Sequence, residues 1–85
     1  MDEKETKEWE RIVEIFKIAY AINPQNRTVD IDVAISENGT TGATITTDFL
    51  YGTYVQAMKI AGYEVDFVGR IRSNGTYNVY FIKNH

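Results

Sequence analysis

The chain has no cysteine, one histidine and one proline among its 85 residues. Without cysteine there is no disulfide, no thiolate metal site and no thiol nucleophile, which suits a reducing compartment without requiring one. The lone histidine, His85, is the final residue, a position where chains fray, so imidazole catalysis is not expected. There is no Ser/His/Asp order, no phosphate-binding glycine loop and no metalloprotease helix. Positive charge is not in excess: Lys and Arg number 9, Asp and Glu 12, and the net charge is −3. Attraction to a phosphate backbone is therefore not a property of the whole molecule and would need a local basic patch. No apolar run is long enough to cross a membrane as a helix. The segment Met1-Asp2-Glu3-Lys4-Glu5 is charged where a signal peptide would be apolar. The expected location is cytoplasmic, inside a host cell.

What the chain does have is a repeated pattern. Val29-Asp30-Ile31, then Ile35, then Asn38-Gly39-Thr40 recurs without a gap as Val65-Asp66-Phe67, Ile71 and Asn74-Gly75-Thr76. Six of the twenty positions in 29–48 and 65–84 are identical. Asn-Gly is hairpin-turn chemistry, so each copy reads as a β-hairpin. The three Asn-X-Thr triplets, at Asn26, Asn38 and Asn74, are read as turns rather than glycosylation acceptors.

Residues 3–22 have the spacing of an amphipathic helix, with Trp9, Ile12, Val13, Phe16, Ala19 and Tyr20 forming one stripe. Ile15, Ile18 and Ile22 widen it, which predicts contact with both a sheet and another helix. Asn23-Pro24 should end the helix. Residues 28–36 alternate: Val29, Ile31, Val33 and Ile35 share one side, and Asp30, Asp32, Ala34 and Ser36 the other. Parity fixes the turn. A two-residue loop would put Ile45 on the wrong face, whereas the loop Glu37-Asn38-Gly39 pairs Val33 with Ala43 and Ile31 with Ile45, with Gly39 left-handed. The same logic with Ser73-Asn74-Gly75 pairs Ile71 with Tyr77, Gly69 with Val79 and Phe67 with Phe81. Residues 48–61 read as a second helix. It starts at Thr47 or Asp48, presents Leu50, Tyr54, Ala57, Met58 and Ala61, and is closed by a left-handed Gly62 with Tyr63 as its hydrophobic contact.

The predicted fold is a two-layer α+β domain, α-β-β-α-β-β, spanning 1–85, built from a tandem αββ repeat (3–47 and 48–85). Its four-stranded antiparallel sheet carries both helices on one face. Strand 3 must run parallel to strand 2, so strand 1 lies beside strand 3 or strand 2 beside strand 4. The order 2-1-3-4 is preferred because it centres the most apolar strands. Trp9, Phe16, Phe67, Tyr77 and Phe81 are expected in the core, with an inward Gly69 leaving room for a ring.

The other face of the sheet is free for function. The first half shows Asp30, Asp32, Ala34, Ser36, Thr40, Gly42, Thr44 and Thr46 there. The second shows Asp66, Val68, Arg70, Arg72, Thr76, Asn78, Tyr80 and Ile82. Val68, Tyr80 and Ile82 would form an apolar group on a solvated face, the mark of an interaction surface. Val68, Arg70, Tyr80 and Ile82 are therefore the expected protein-binding residues, with another protein or a second copy of the chain as partner. The alternative is a nucleic-acid platform of Arg70, Arg72, Asn78, Tyr80 and Lys83, in which bases stack on the tyrosine and cations hold phosphates. An Asp32–Arg70 cross-strand pair is the plain structural account of the same charges. Asp30 and Asp32 lie about 7 Å apart along a strand, too far for one tight cation site, and no cofactor is expected.

In element order the chain resembles the core of LAGLIDADG homing endonucleases. The glycine- and acid-bearing helix motif that names that family is absent, so no activity is carried over. The expectation is a small non-enzymatic interaction protein, an accessory or inhibitor of the size encoded by phages and other mobile elements.

Overall fold

A computed structural model describes residues 2–24, 28–47, 53–69 and 75–84. The elements run α1 (Glu3–Ile22), β1 (Thr28–Ile35), β2 (Thr41–Thr47), α2 (Tyr54–Ile60), β3 (Glu64–Val68) and β4 (Tyr77–Lys83). Helix α1 has the expected bounds, and the start signal lies in Asp2-Glu3-Lys4-Glu5. The Asp2 carboxylate accepts from the Glu5 amide at 2.8 Å, and the Glu5 carboxylate accepts from the Asp2 amide at 3.2 Å. This capping box satisfies two donors that a helix start would leave unpaired. Asn23 is extended ahead of Pro24, and its amide closes the helix on the Ala19 carbonyl. Helix α2 starts later than expected: its N-cap is Thr53 and its first residue Tyr54, Thr47 is instead the buried last residue of β2, and Asp48 and Leu50 lie outside the described residues. It ends as anticipated. Gly62 has φ 100° and donates to Lys59, while Tyr63 donates to the Met58 carbonyl at 2.9 Å, the paired bonds of a Schellman motif.

The first hairpin has the register derived by parity: Val33 faces Ala43 and Ile31 faces Ile45. Gly39 has φ 87°, donates to the Ser36 carbonyl at 3.0 Å, and lets the Ser36 amide reach Thr40 at 2.9 Å. Asn38 accepts from the Thr40 amide and from the Ser36 hydroxyl. Along β2, Thr41, Ala43, Ile45 and Thr47 are buried while Gly42, Thr44 and Thr46 are exposed or half-buried.

The sheet is four-stranded and antiparallel, but its order is β1-β2-β4-β3, not 2-1-3-4. Strand 2 lies beside strand 4, the other solution that parallel β2 and β3 allow. The apolar β1 sits at an edge, where α1 packs against it and supplies side-chain partners to two of its backbone groups. Trp9 Nε1 donates to the Ile31 carbonyl at 2.9 Å, and a Glu5 oxygen accepts from the Ile35 amide at 3.0 Å. Side-chain partners on an edge strand make it a poorer template for pairing with another chain.

The second hairpin departs from the parity register. Val65 faces Phe81, but Phe67 faces Tyr80 and Val68 faces Val79, so Asp66 is an extra residue on β3. This bulge inverts the expected sides of the residues after it. Phe67 lies on the open face, Val68 on the helix-facing side opposite a buried valine, and Gly69 pairs outward with Asn78. The expected Gly69–Val79 and Phe67–Phe81 pairs are therefore replaced. Thr76, expected on the open face, is buried. The Ile71–Tyr77 pair and the turn residues Ser73 and Asn74 lie outside the described residues.

The core is one cluster between the helices and one face of the sheet: Ile12, Phe16 and Ala19 from α1, Tyr54 and Met58 from α2, Tyr63, and Val33, Ala43, Ile45, Val79 and Phe81 from the strands. The Phe16 and Tyr54 rings lie 5.0 Å apart and Tyr54 meets Phe81 edge-on at 6.4 Å, a favoured aromatic geometry. Tyr20, placed on the apolar stripe by its spacing, is exposed instead.

Candidate functional site

Strand pairing lays the open face out as rows running across the sheet. One row reads Asp32, Thr44, Tyr80, Phe67, and the next Ala34, Gly42, Ile82, Glu64. A third carries Asp30, Thr46 and Asn78, where the Thr46 hydroxyl bonds Asn78 Oδ1 at 3.0 Å. Phe67 and Tyr80 stack, with centroids 4.2 Å apart and planes 20° apart, and Phe67 keeps 55% of its surface exposed. The stack leans over Gly69, where an added Cβ would lie 3.1 Å from Tyr80 Cε2 and from Asn78 Cβ. Glycine permits that close approach, and the ring covers the gap it leaves in the strand.

Beside the stack is a depression of about 190 Å³, with Ala34, Gly42 and Thr44 beneath it, Tyr80 and Ile82 along one side, and Asp32 and Asp66 at its rim. Among the described residues none of Asp30, Asp32, Glu64 and Asp66 enters a salt bridge, and the rows carry no basic side chain. No group of three or more acids or histidines is placed to hold a metal ion among the described residues.

Of the expected protein-binding residues, Tyr80 and Ile82 share this face, Val68 does not, and Arg70 lies outside the described residues. Phe67 takes the place assigned to Val68. Its signal was present in the sequence, since a register that puts Gly69 opposite Val79 leaves a void in the core and a one-residue bulge fills it with Val68. Of the nucleic-acid set, Arg70 and Arg72 lie outside the described residues, and Asn78 and Tyr80 are on the open face. Lys83 is on the other side, opposite the buried Thr41.

Lys83 belongs to a separate polar cluster. Glu8, whose side chain is only 14% exposed, accepts from Lys83 Nζ at 2.8 Å and from the Tyr63 hydroxyl, with Arg11 at 3.6 Å. The Lys83 ammonium also sits 4.9 Å from the Tyr63 ring centroid, within cation–π range. Burial works to raise the Glu8 carboxyl. The bonds from Lys83 and Tyr63 and the charges of Lys83 and Arg11 outweigh it and hold the group below the ordinary carboxylate range. Burial, then the Glu8 carboxylate, pushes the Tyr63 phenol well above its usual value. This cluster joins α1, the end of α2 and β4 from the inside, and acts as a tie between elements.

A second apolar surface lies between the helices. Arg11, Ile15 and Ile18 of α1 with Ala57, Ile60 and Ala61 line a groove of about 330 Å³, and Ile18, Ile22 and Ile60 are exposed. The widened isoleucine stripe of α1 thus only partly meets the second helix. No described helix is long and apolar enough to cross a membrane. Compared with known proteins, the chain matches no protein family, no curated protein and no solved structure.

Proposed function

We propose that the protein is a small non-enzymatic interaction module, an accessory or inhibitor acting in the cytoplasm, that docks another protein on the open face of its sheet. The observation that carries this reading is the Phe67–Tyr80 stack, two rings on the solvent side of the sheet with Phe67 55% exposed. Rigid aromatic anchors are the residues that dominate binding at protein interfaces. Ile82 and the depression next to Tyr80 extend the surface, and Arg70 remains a candidate member of it. The chain is read as one domain, 1–85, whose halves 3–47 and 48–85 descend from a duplicated αββ unit. The sequence matches of the two hairpins support this.

The nucleic-acid alternative keeps an argument in the stacked rings, since bases stack on exposed aromatics. The four carboxylates around them oppose it. For the docking reading, a partner recovered by affinity capture and purified should bind the intact protein in calorimetry and lose about thirtyfold in affinity with Phe67→Ser/Tyr80→Ser, the loss of a typical hot spot. The variant should keep its fold, because the stack lies outside the core cluster. A folded variant with unchanged affinity removes the reading.

A further inference from the structure

Gly42 has no structural reason to be glycine. It lies in the central strand β2, where glycine is unfavourable because it adds backbone entropy and packs nothing. It is not among the glycines with positive φ. A Cβ built on it would meet nothing closer than the Ala34 carbonyl oxygen at 4.0 Å. A β-branched residue would fit there and suit the strand better. What it would change is the depression, whose floor is Gly42 with its cross-strand neighbour Ala34. Glycine within a strand often marks the close approach of a ligand or another chain.

The walls indicate what approaches. Asp32 and Asp66 stand at the rim, Asp30 and Glu64 on the surrounding rows, and none is paired among the described residues. Tyr80 gives the depression an aromatic side, a surface on which a guanidinium stacks. At about 190 Å³ it holds roughly six waters of about 30 Å³ each, enough for one extended side chain. A second copy of the chain is a poor occupant. A two-fold interface sets a patch against itself, and the described residues of this face offer no cation to meet its carboxylates. We propose that the depression over Gly42 and Ala34 receives an arginine side chain of a basic segment of the partner protein, held between Asp32 and Asp66 with its guanidinium against Tyr80. This rests on the reading of the open face as the docking surface and names the chemistry of what docks there.

The test is a low-salt nuclear magnetic resonance titration of the isotope-labelled protein with a blocked peptide carrying two arginines. Matched peptides with norleucine or glutamate in their place, and oligothymidylate, serve as further arms. The arginine peptide should give saturable shifts at Asp32, Gly42, Thr44, Asp66 and Tyr80. Affinity should fall at least tenfold in Gly42→Val, which fills the depression and should not lower the melting temperature, and in Asp32→Asn/Asp66→Asn. It should stay within twofold in Glu10→Gln/Glu14→Gln, which removes the same charge from α1. Absence of saturable shifts, equal losses in the helix control, or equal binding of the glutamate peptide or oligothymidylate overturns the proposal. If the norleucine peptide binds the same residues and only Phe67→Ser/Tyr80→Ser releases it, the docking face stands and the arginine assignment falls. Shifts confined to the helices overturn both.

Discussion

Glu8 is where three elements of the fold are tied by charge and hydrogen bonds rather than by apolar packing. Its carboxylate takes Lys83 from β4 and Tyr63 from the end of α2. The pH dependence follows from the two shifts. The folded Glu8 carboxyl lies below its ordinary value of 4.5, so its contribution is complete above that pH and is lost as pH falls through the lower, folded value. The folded Tyr63 phenol lies above its ordinary value of 10.0. Its contribution is complete below that pH and is lost as pH rises from there towards the folded value. Tyr63→Phe should cost about 1.5–3 kcal/mol at neutral pH, the range for a hydrogen bond to a charged group. It should also flatten the loss of stability above pH 10.0. Urea unfolding across the pH range measures both, and an alkaline limb unchanged by Tyr63→Phe contradicts the assignment.

At the scale of elements, counting apolar residues sorts the faces of the first hairpin and not those of the second, for one physical reason. Parity arguments assume an uninterrupted ladder. From Ile31 to Ile35 the first hairpin has one, so counting apolar residues sorts its faces. In the second, Asp66 interrupts the ladder, and Phe67, Val68 and Gly69 each lie on the side opposite to the count. The candidate site moved with them: Tyr80 and Ile82 were placed correctly from β4 alone, while Val68 gave way to Phe67. Strand order was not legible because it depends on which strand α1 covers. The polar atoms that mark β1 as the covered edge, Trp9 Nε1 and the Glu5 carboxylate, sit on a helix some twenty to thirty residues away. Trp9→Phe keeps the ring in place and leaves the Ile31 carbonyl without its partner. It should cost about 1 kcal/mol in denaturant unfolding and open β1 to strand pairing, seen as faster aggregation on mild heating. Equal stability and equal aggregation would show that the edge is protected by other means.

At the scale of the molecule, the sheet face and the interhelical groove are two exposed apolar surfaces on opposite sides of one core. They differ in what they would cost to lose. The open face holds stacked rings, a central-strand glycine with room for a side chain, and carboxylates that are unpaired among the described residues. The groove is the remainder of a helix-helix contact: Ile15 packs against the core while Ile18 stays exposed, and Ile60 is 80% exposed at the end of α2. Side chains that exposed contribute little to stability. Ile18→Glu combined with Ile60→Lys keeps the net charge at −3, so any effect it has is local. The pair should shift unfolding free energy by no more than about 1 kcal/mol and leave the arginine-peptide titration of the sheet face unchanged. Sites this far apart, with no shared partners, act additively. A large loss of peptide affinity in that variant would mean that the two faces are coupled through the core, and that the sheet face does not act alone.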